Sequence, residues 1–269
     1  HPIVKQEKQV NNKIIYESHF TINTNDVLTI VSDGVIHAGV GVHLNLGWQW
    51  QHVNNYLVDL IKAESSADSI ASNLMSVCES LYANAPGDDT TVITIKARPV
   101  QYVDLFTGPP ADKADDTIMI KNILSAKEKV IICGGTTANI VSKQLNKPIE
   151  IDLVNYTKDV PPAGYMEGVT LVTEGLLTLN KVKKILRAYY QQRNKGEAPA
   201  AIYGLDGASR IARILLYDST HIHLWVGKAV NPAHQNPNFP WEFSLKIKVM
   251  KEIKKYLEYI GKNVEITFY

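Results

Sequence analysis

Three aspartates lie beside two apolar segments, and carboxylates so placed have the chemistry of a site for a hard metal ion. Asp33 follows the apolar segment 27–32, while Asp88 and Asp89 precede a second strand-like segment at 90–95. If the two segments pair antiparallel, the end of the first meets the start of the second, which brings the carboxylates together. Converging carboxylates repel one another unless a cation lies between them. Oxygen ligands alone favour Mg²⁺ or Mn²⁺.

The same residues also have an ordinary structural interpretation. Asp-Gly and Gly-Asp are common turn dipeptides, so Asp33 and Asp88 fit turns that carry no ligand. The spacing by itself leaves both interpretations open.

Strands and helices must position these aspartates, and the apolar pattern predicts both. Strands are predicted at 13–22, 27–32 and 90–97, and a glycine-rich aromatic loop or flap at 38–50. Ser65 or Ser66 is the expected N-cap of the second of two helices between the aspartates. The two helices are indicated by apolar residues at helical spacing, which are Val53, Leu57, Leu60 and Ile61, then Ile70, Leu74, Val77, Cys78 and Leu81.

Two motifs with two helices between them resemble the final third of a SpoIIE-type protein phosphatase domain, over roughly residues 1–97. They are Asp26-Val-Leu-Thr-Ile-Val-Ser-Asp-Gly34 and Pro86-Gly-Asp-Asp-Thr-Thr-Val92. Such domains are bacterial relatives of the metal-dependent, type 2C serine/threonine phosphatases. The resemblance implies that Asp33 and Asp88 are catalytic metal ligands, and that Asp89 is a further ligand at a position often occupied by Asn. It also implies two Mn²⁺ or Mg²⁺ ions that activate a water for in-line attack on a phosphoprotein.

The chain also departs from that family. The other metal ligands of the family come from an early acidic strand and an Asp-Gly-x-Gly motif, and neither precedes Ser32. Two aspartates cannot bridge two metal ions, so we expect this chain alone to be a weak or inactive phosphatase. We also expect a shortened β-sandwich to expose the faces that its missing strands would cover. The start at His1-Pro2, without a signal-peptide pattern, favours a processed N-terminus or a piece of a longer protein.

From residue 100 onward, strand-like and helix-like segments alternate, which favours a mostly parallel, doubly wound sheet. The sequence therefore predicts an α/β protein of two domains. Residues 1–99 would form a partial phosphatase of the α+β type, a β-sandwich with helices, and residues 100–269 an α/β domain. Its strands are predicted at 103–106, 130–133, 150–154, 169–172, 221–226 and 264–268.

The loops after these strands carry candidate ligand-binding residues, because open α/β sheets bind ligands at the carboxyl ends of their strands. The glycine turn after strand 130–133 would let a phosphate approach the N–H groups of the next helix. It is neither a Walker A motif nor a full dinucleotide fingerprint, and a plain turn with a threonine cap also explains it. The predicted ligand-binding residues are Gly108, Gly134, Gly135, Thr136, Thr137, Glu174 and His234. Asp152 is a further polar residue at a strand end.

Other polar residues of the second half favour structural roles. Asp206 or Ser209 is the expected cap of a helix, and Arg210 or Arg213 fits a solvated helix face better than a phosphate contact. His221 and His223 share one face of a strand and are expected to face solvent.

Composition excludes several classes of partner. A net charge of +1 gives no case for binding nucleic acid or an anionic membrane surface, and no apolar stretch approaches the length of a transmembrane helix. Two cysteines, Cys78 and Cys133, are too few for a disulfide framework and fit no zinc motif, which predicts a cytoplasmic location.

Three functions remain open. The first is the metal-dependent phosphatase. The alternative is a regulatory α/β module that binds a phosphate-bearing ligand or a nucleotide and controls the attached phosphatase. The third is a scaffold in which the first half only packs.

Overall fold

The structure, a computed structural model, describes residues 5–63, 66–192, 198–229 and 244–269. It divides into two units, His1–Pro99 and Val100–Tyr269. The α/β class is confirmed, because helices accompany a mostly parallel seven-stranded sheet. No helix in the described part of the chain has both the length and the apolarity that a membrane crossing requires. The predicted ligand-binding residue His234 and the alternative cap Ser65 lie outside the described residues.

The first unit begins with a β-hairpin. Strands β1 (Gln6–Val10) and β2 (Lys13–Glu17) pair antiparallel around Asn11 and Asn12, which both adopt the left-handed conformation that tight hairpin turns require. The prediction of a strand over 13–22 was too long. Glu17 already pairs with Gln6, the first residue of β1, so the partner strand ends there.

The two apolar segments next to the aspartates pair antiparallel, which is the condition under which the aspartate motifs share one end. Strand β3 (Val27–Val31) pairs with β4 (Val92–Lys96), and Val31 is the partner of Val92. In place of the predicted sandwich, the described residues of the first unit contain two separate two-stranded sheets, the hairpin and this pair.

The β3–β4 pair has one covered face and one open face. Val27, Val31 and Val92 pack against the buried cluster of the unit. Ile30, Ile93 and Ile95 alternate with them and are 52%, 50% and 48% exposed. We refer to these three isoleucines as the open isoleucine face.

Three helices complete the first unit: α1 (Asp33–Ile36), α2 (Trp50–Lys62) and α3 (Ala67–Leu81). Ser66 caps α3 by accepting a hydrogen bond from the Ser69 N–H at 3.1 Å. Trp50, predicted within the loop, is instead the first residue of α2. The core of the unit consists of Val35, Ala38, Val53, Ile70, Leu74, Cys78 and Tyr82.

The second unit is built on one seven-stranded sheet. Its strands are β5 (Tyr102–Thr107), β6 (Lys129–Cys133), β7 (Glu150–Ile151), β8 (Gly164–Met166), β9 (Val169–Thr173), β10 (His221–Val226) and β11 (Asn263–Phe268). Their order is β11-β10-β5-β6-β9-β8-β7. The five strands from β11 to β9 are parallel, whereas β8 pairs antiparallel with both β9 and β7.

Helices cover both faces of this sheet, which is therefore doubly wound. They are α4 (Asp116–Leu124), α5 (Gly135–Leu145), α6 (Leu176–Gln192), α7 (Gly207–Tyr217) and α8 (Leu245–Tyr259). Val103 and Leu105 of β5 join one buried cluster with α6, α7 and α8, and Phe106 joins the other with α4 and α5. Such alternation is expected of a strand that is buried on both sides.

The strand predicted at 150–154 was also too long. After Ile151, the Asp152 carboxylate accepts hydrogen bonds from the N–H groups of Val154 and Asn155, each at 3.1 Å. This turn draws the backbone away from the sheet.

The cap of α7 is Asp206, which accepts from the N–H groups of Ala208 and Ser209. The two arginines of this helix make protein contacts rather than forming a solvated face. Arg213 donates to the carbonyls of Ile202 and Gly204, and Arg210 donates to the Tyr165 hydroxyl.

Candidate functional site

Ser32 joins the two motifs that carry the aspartates. Its N–H donates to the Thr91 carbonyl at 3.0 Å, and its hydroxyl donates to the Asp89 carbonyl at 2.8 Å. The hydroxyl also accepts from the Thr91 N–H at 2.9 Å. Asp33 begins α1 directly after this junction, so the end of the β3–β4 pair holds both motifs.

Gly34 permits this close approach. A Cβ atom at Gly34 would lie 2.6 Å from the Asp89 carbonyl oxygen, a separation that no side chain tolerates. The backbone of the first motif therefore contacts the backbone of the second without space for any side chain at Gly34.

Tyr82 lies beside both aspartate motifs. Its hydroxyl donates to the Gly34 carbonyl at 2.7 Å, and the residue is 5% exposed. Burial raises the pKa of Tyr82 above its usual value, the Asp88 carboxylate raises it further, and Asp33 contributes in the same direction. Tyr82 also reaches the second motif, because its ring lies 3.8 Å from where a Cβ of Gly87 would be, so both motifs lie in one neighbourhood.

The donor chemistry of this neighbourhood suits a hard divalent cation, but the set is incomplete. One oxygen of Asp33 accepts from the Gly34 N–H at 3.0 Å, and one oxygen of Asp88 accepts from the Asp89 N–H at 2.8 Å. These local bonds leave the second oxygen of each carboxylate for a ligand. No group of three or more His, Cys, Asp or Glu side chains in the described part of the chain could hold a metal ion.

Sequence reasoning missed Tyr82. It follows Cys78 by four residues and so continues the apolar face of α3, which is typical of a core residue. Its only distinguishing signal is a hydroxyl on a core aromatic, since buried tyrosine hydroxyls need a partner.

The second unit contains a cavity of about 260 Å³ at the carboxyl ends of β5, β6 and β9. The structure brings six of the seven predicted ligand-binding residues to its wall: Gly108, Gly134, Gly135, Thr136, Thr137 and Glu174. Asp152 does not line it, because β7 is separated from β9 by β8.

Lys246 is a cavity residue that the sequence did not single out. Its ammonium donates to the carbonyls of Gly227 and Ala229, and burial lowers its pKa from 10.5 to about 8. In the sequence it is one of many lysines in an amphipathic helix. Only the placement of the start of α8 at the cavity distinguishes it.

The two histidines of β10 do not both face solvent freely. His223 is half-buried, stacks on Trp225 with 3.8 Å between ring centroids, and is hydrogen-bonded to the Thr267 hydroxyl at 2.7 Å. Burial lowers its pKa, an effect that Asp104 and Glu265 oppose.

Comparison with known proteins bears on the first unit. The family model for Stage II sporulation protein E (SpoIIE) matches residues 11–98. Neither curated proteins nor solved structures gave a match. The matched range contains β2, β3, β4 and both aspartate motifs, and it ends before the second unit. The match supports a SpoIIE-type, phosphatase-related domain over residues 11–98 of this chain.

Proposed function

We propose that the first unit is the C-terminal part of a metal-dependent serine/threonine phosphoprotein phosphatase of the SpoIIE type. Asp33 and Asp88 are its catalytic metal ligands, Asp89 is a further ligand, and Mn²⁺ or Mg²⁺ is the cofactor. The observation that carries the proposal is the junction at Ser32, which fixes both motifs at one end of the β3–β4 pair. The match of residues 11–98 to the SpoIIE model supports the same assignment.

The present chain is expected to be weak or inactive alone. A site that activates water for attack on a phosphomonoester uses ions held by several carboxylates, and this junction supplies an incomplete set. The role of the described residues is therefore to bind and orient part of the metal site. Tyr82 and Gly34 act as positioning residues, because they hold the backbone that carries Asp33.

Metal binding tests the proposal without relying on turnover. We expect calorimetric titration of the full chain with Mn²⁺ to show weak binding that Asp33→Asn and Asp88→Asn each abolish. Asp59→Asn is the matched control, because Asp59 is an exposed carboxylate on α2 of the same unit. Equal Mn²⁺ binding by all four proteins would contradict the assignment.

Hydrolysis of a generic aryl phosphate provides the second test. We expect slow, Mn²⁺-dependent turnover, or turnover that appears only when the chain is extended by the sequence encoded upstream of His1. In either case Asp33→Ala and Asp88→Ala abolish it. If that upstream sequence carries an in-frame acidic strand and an Asp-Gly-x-Gly motif but the extended chain shows no metal-dependent turnover, the proposal is wrong.

A further inference from the structure

The cavity of the second unit lies where the sheet changes the direction of its winding. From β5 the chain passes to β6 on one side, and it later returns to β10 on the other side of β5. The loops that follow β5 and β10 therefore diverge, and they leave a crevice between them. Open α/β sheets bind their ligands at such points.

Three helices begin at this cavity. The first residues of α5, α6 and α8, which are Gly135, Leu176 and Leu245, all line it. Gly134 at the N-cap of α5 has no side chain, and the N-cap Ser244 of α8 makes no side-chain cap hydrogen bond. The N–H groups and the positive dipole ends of these helices favour an anion.

An independent observation, the environment of the Thr137 hydroxyl, points to a ligand at this cavity. Thr137 is fully buried and lines the cavity, and among the described residues its hydroxyl has no hydrogen-bond partner. A buried hydroxyl without a partner loses free energy relative to water, and native structures rarely retain one without a reason. A ligand oxygen in the cavity would satisfy it.

At Gly108 and Gly134 the cavity wall consists of backbone without side chains. Gly108 and Gly134 adopt positive φ values of 75° and 132°, which other residues avoid. A Cβ atom at Gly134 would meet no atom closer than the Thr137 hydroxyl oxygen at 3.6 Å. A tetrahedral anion can therefore approach both the backbone and that hydroxyl.

The charged residues define the rest of the ligand. The Lys246 ammonium carries three donors and uses two of them on carbonyls of the described residues, so within this part of the chain one N–H is left for an anion. Glu174 is exposed, and one of its oxygens lies 3.5 Å from where a Cβ of Gly135 would be. A carboxylate repels a bare anion but accepts hydrogen bonds from hydroxyl groups.

The volume limits the size of the ligand. Cavities that bind drug-sized molecules and cofactors span about 300–1,000 Å³, and this one is smaller at about 260 Å³. A sugar phosphate therefore fits this volume better than a dinucleotide does.

We propose that the cavity binds a small phosphomonoester of a sugar or polyol. The phosphate lies at the start of α5, where Thr137 donates its hydroxyl hydrogen and Lys246 supplies positive charge. A hydroxyl group of the ligand donates to Glu174.

Calorimetric titration of the full chain, in buffer without divalent cations, tests this with defined probes. We expect ribose 5-phosphate to bind more tightly than inorganic phosphate, and ribose not to bind. Tighter binding of adenosine monophosphate than of ribose 5-phosphate would contradict the assignment to a sugar or polyol phosphate. Absence of binding by all of these probes at millimolar concentration would overturn it.

A matched pair of variants separates the cavity from general packing. Thr137→Val should weaken binding of both phosphates about tenfold, because a hydrogen bond to a charged group is lost. Thr178→Val is the control, since Thr178 is also fully buried with an unpartnered hydroxyl but does not line the cavity. Equal binding by the two variants would contradict the assignment.

Two further variants keep the proposal testable if Thr137→Val does not fold. Gly135→Leu places a side chain in the cavity and should abolish binding of ribose 5-phosphate. Glu174→Gln should leave binding of inorganic phosphate unchanged or tighter, yet weaken ribose 5-phosphate about fivefold, because a charged acceptor for its hydroxyl is lost. Unaltered binding of ribose 5-phosphate by both variants would refute the site.

The binding readout is independent of the phosphatase assignment, so an Asp33→Ala protein should bind ribose 5-phosphate like the wild type.

Discussion

The two units of this chain differ in how far their sheets are covered by helices. In the second unit, helices cover both faces of a seven-stranded sheet, and central residues such as Leu105 and Ile132 are completely buried. In the first unit, one face of the β3–β4 pair packs against the buried cluster of the unit. The side chains of the open isoleucine face, on the other side, are about half exposed to solvent. A two-stranded sheet is marginal unless something packs on it, so the first unit depends on a single small core.

The two candidate sites differ in the same direction, because the second unit supplies more of the residues of its site than the first unit does. The cavity of the second unit is lined by loops and helix starts at one edge of a single sheet, and all the residues of the proposed ligand site belong to this unit. The aspartate site of the first unit is positioned accurately by Ser32 and Gly34 but lacks partners among the described residues. A chain can therefore hold a few residues of a site in place and still lack the other residues that the site needs.

The largest effect is expected from the core of the second unit. Phe106 is fully buried and stacks on Trp225 with 5.5 Å between ring centroids. Phe106→Ala should lower the free energy of unfolding of this unit by about 3–5 kcal/mol, because a large apolar side chain is removed from a packed site. Urea unfolding measures this, and Ile118→Ala, at an exposed helix position, should cost less than about 0.5 kcal/mol. Similar losses for both variants would show that the second unit is not the well-packed one.

The next effect concerns the junction of the first unit. Gly34→Ala should destabilise this unit by about 1–3 kcal/mol, because the new methyl group collides with the Asp89 carbonyl and must displace backbone. Gly87→Ala is the matched control in the same motif, since its Cβ would meet only the Tyr82 ring, at 3.8 Å. Thermal unfolding monitored by circular dichroism checks both. If Gly34→Ala is as stable as Gly87→Ala, the two motifs do not touch as described.

A pH effect is expected in the second unit. Burial lowers the pKa of His223, so the folded state binds a proton less readily than the unfolded state. Stability conferred by neutral His223 is then present above the unfolded pKa of about 6.5 and is lost as pH falls below it. Urea midpoints at pH 7.5 and pH 5.5 should show this decline, and His223→Gln should reduce it. If the urea midpoint of His223→Gln falls with pH as much as that of the wild type, the loss of stability comes from other groups.

The smallest effect is expected on the open isoleucine face. Ile30→Thr and Ile93→Thr should each change the stability of this chain by less than about 0.5 kcal/mol, because both side chains are already half in contact with water. Val53→Thr, which buries a hydroxyl in the core of the same unit, is the contrasting variant and should cost more than about 1 kcal/mol. A loss of several kcal/mol for Ile30→Thr would mean that this face is covered in solution.

The sequence predicted the central elements because their signals are local. Short segments rich in apolar residues and bounded by turn residues identified β3, β5, β6, β9 and β10. The sequence placed the aspartates at one end of a strand pair on the condition that β3 and β4 pair antiparallel, as they do. The ends of β2 and β7 were mispredicted for another reason. Strand β2 ends where its partner β1 ends, and β7 ends at the turn formed by the Asp152 side chain. Neither limit is visible in an apolar pattern.

The residues that the sequence missed owe their roles to distant parts of the chain. Tyr82 matters because its hydroxyl meets Gly34, and Lys246 matters because α8 begins beside the loops after β5 and β6. Composition and periodicity describe each of them correctly, as a core aromatic and as a helix lysine. The contacts that distinguish them form only in the folded unit.

The pairing of Val31 with Val92 also implies an order of events during folding. All of α2 and α3 lies between these partners, so the pair closes a long loop, whereas each helix forms from contacts between near neighbours in the sequence. We therefore expect the two aspartate motifs to come together late, after the helices between them have formed. We expect a divalent cation to slow unfolding of the finished unit and to leave its folding rate unchanged.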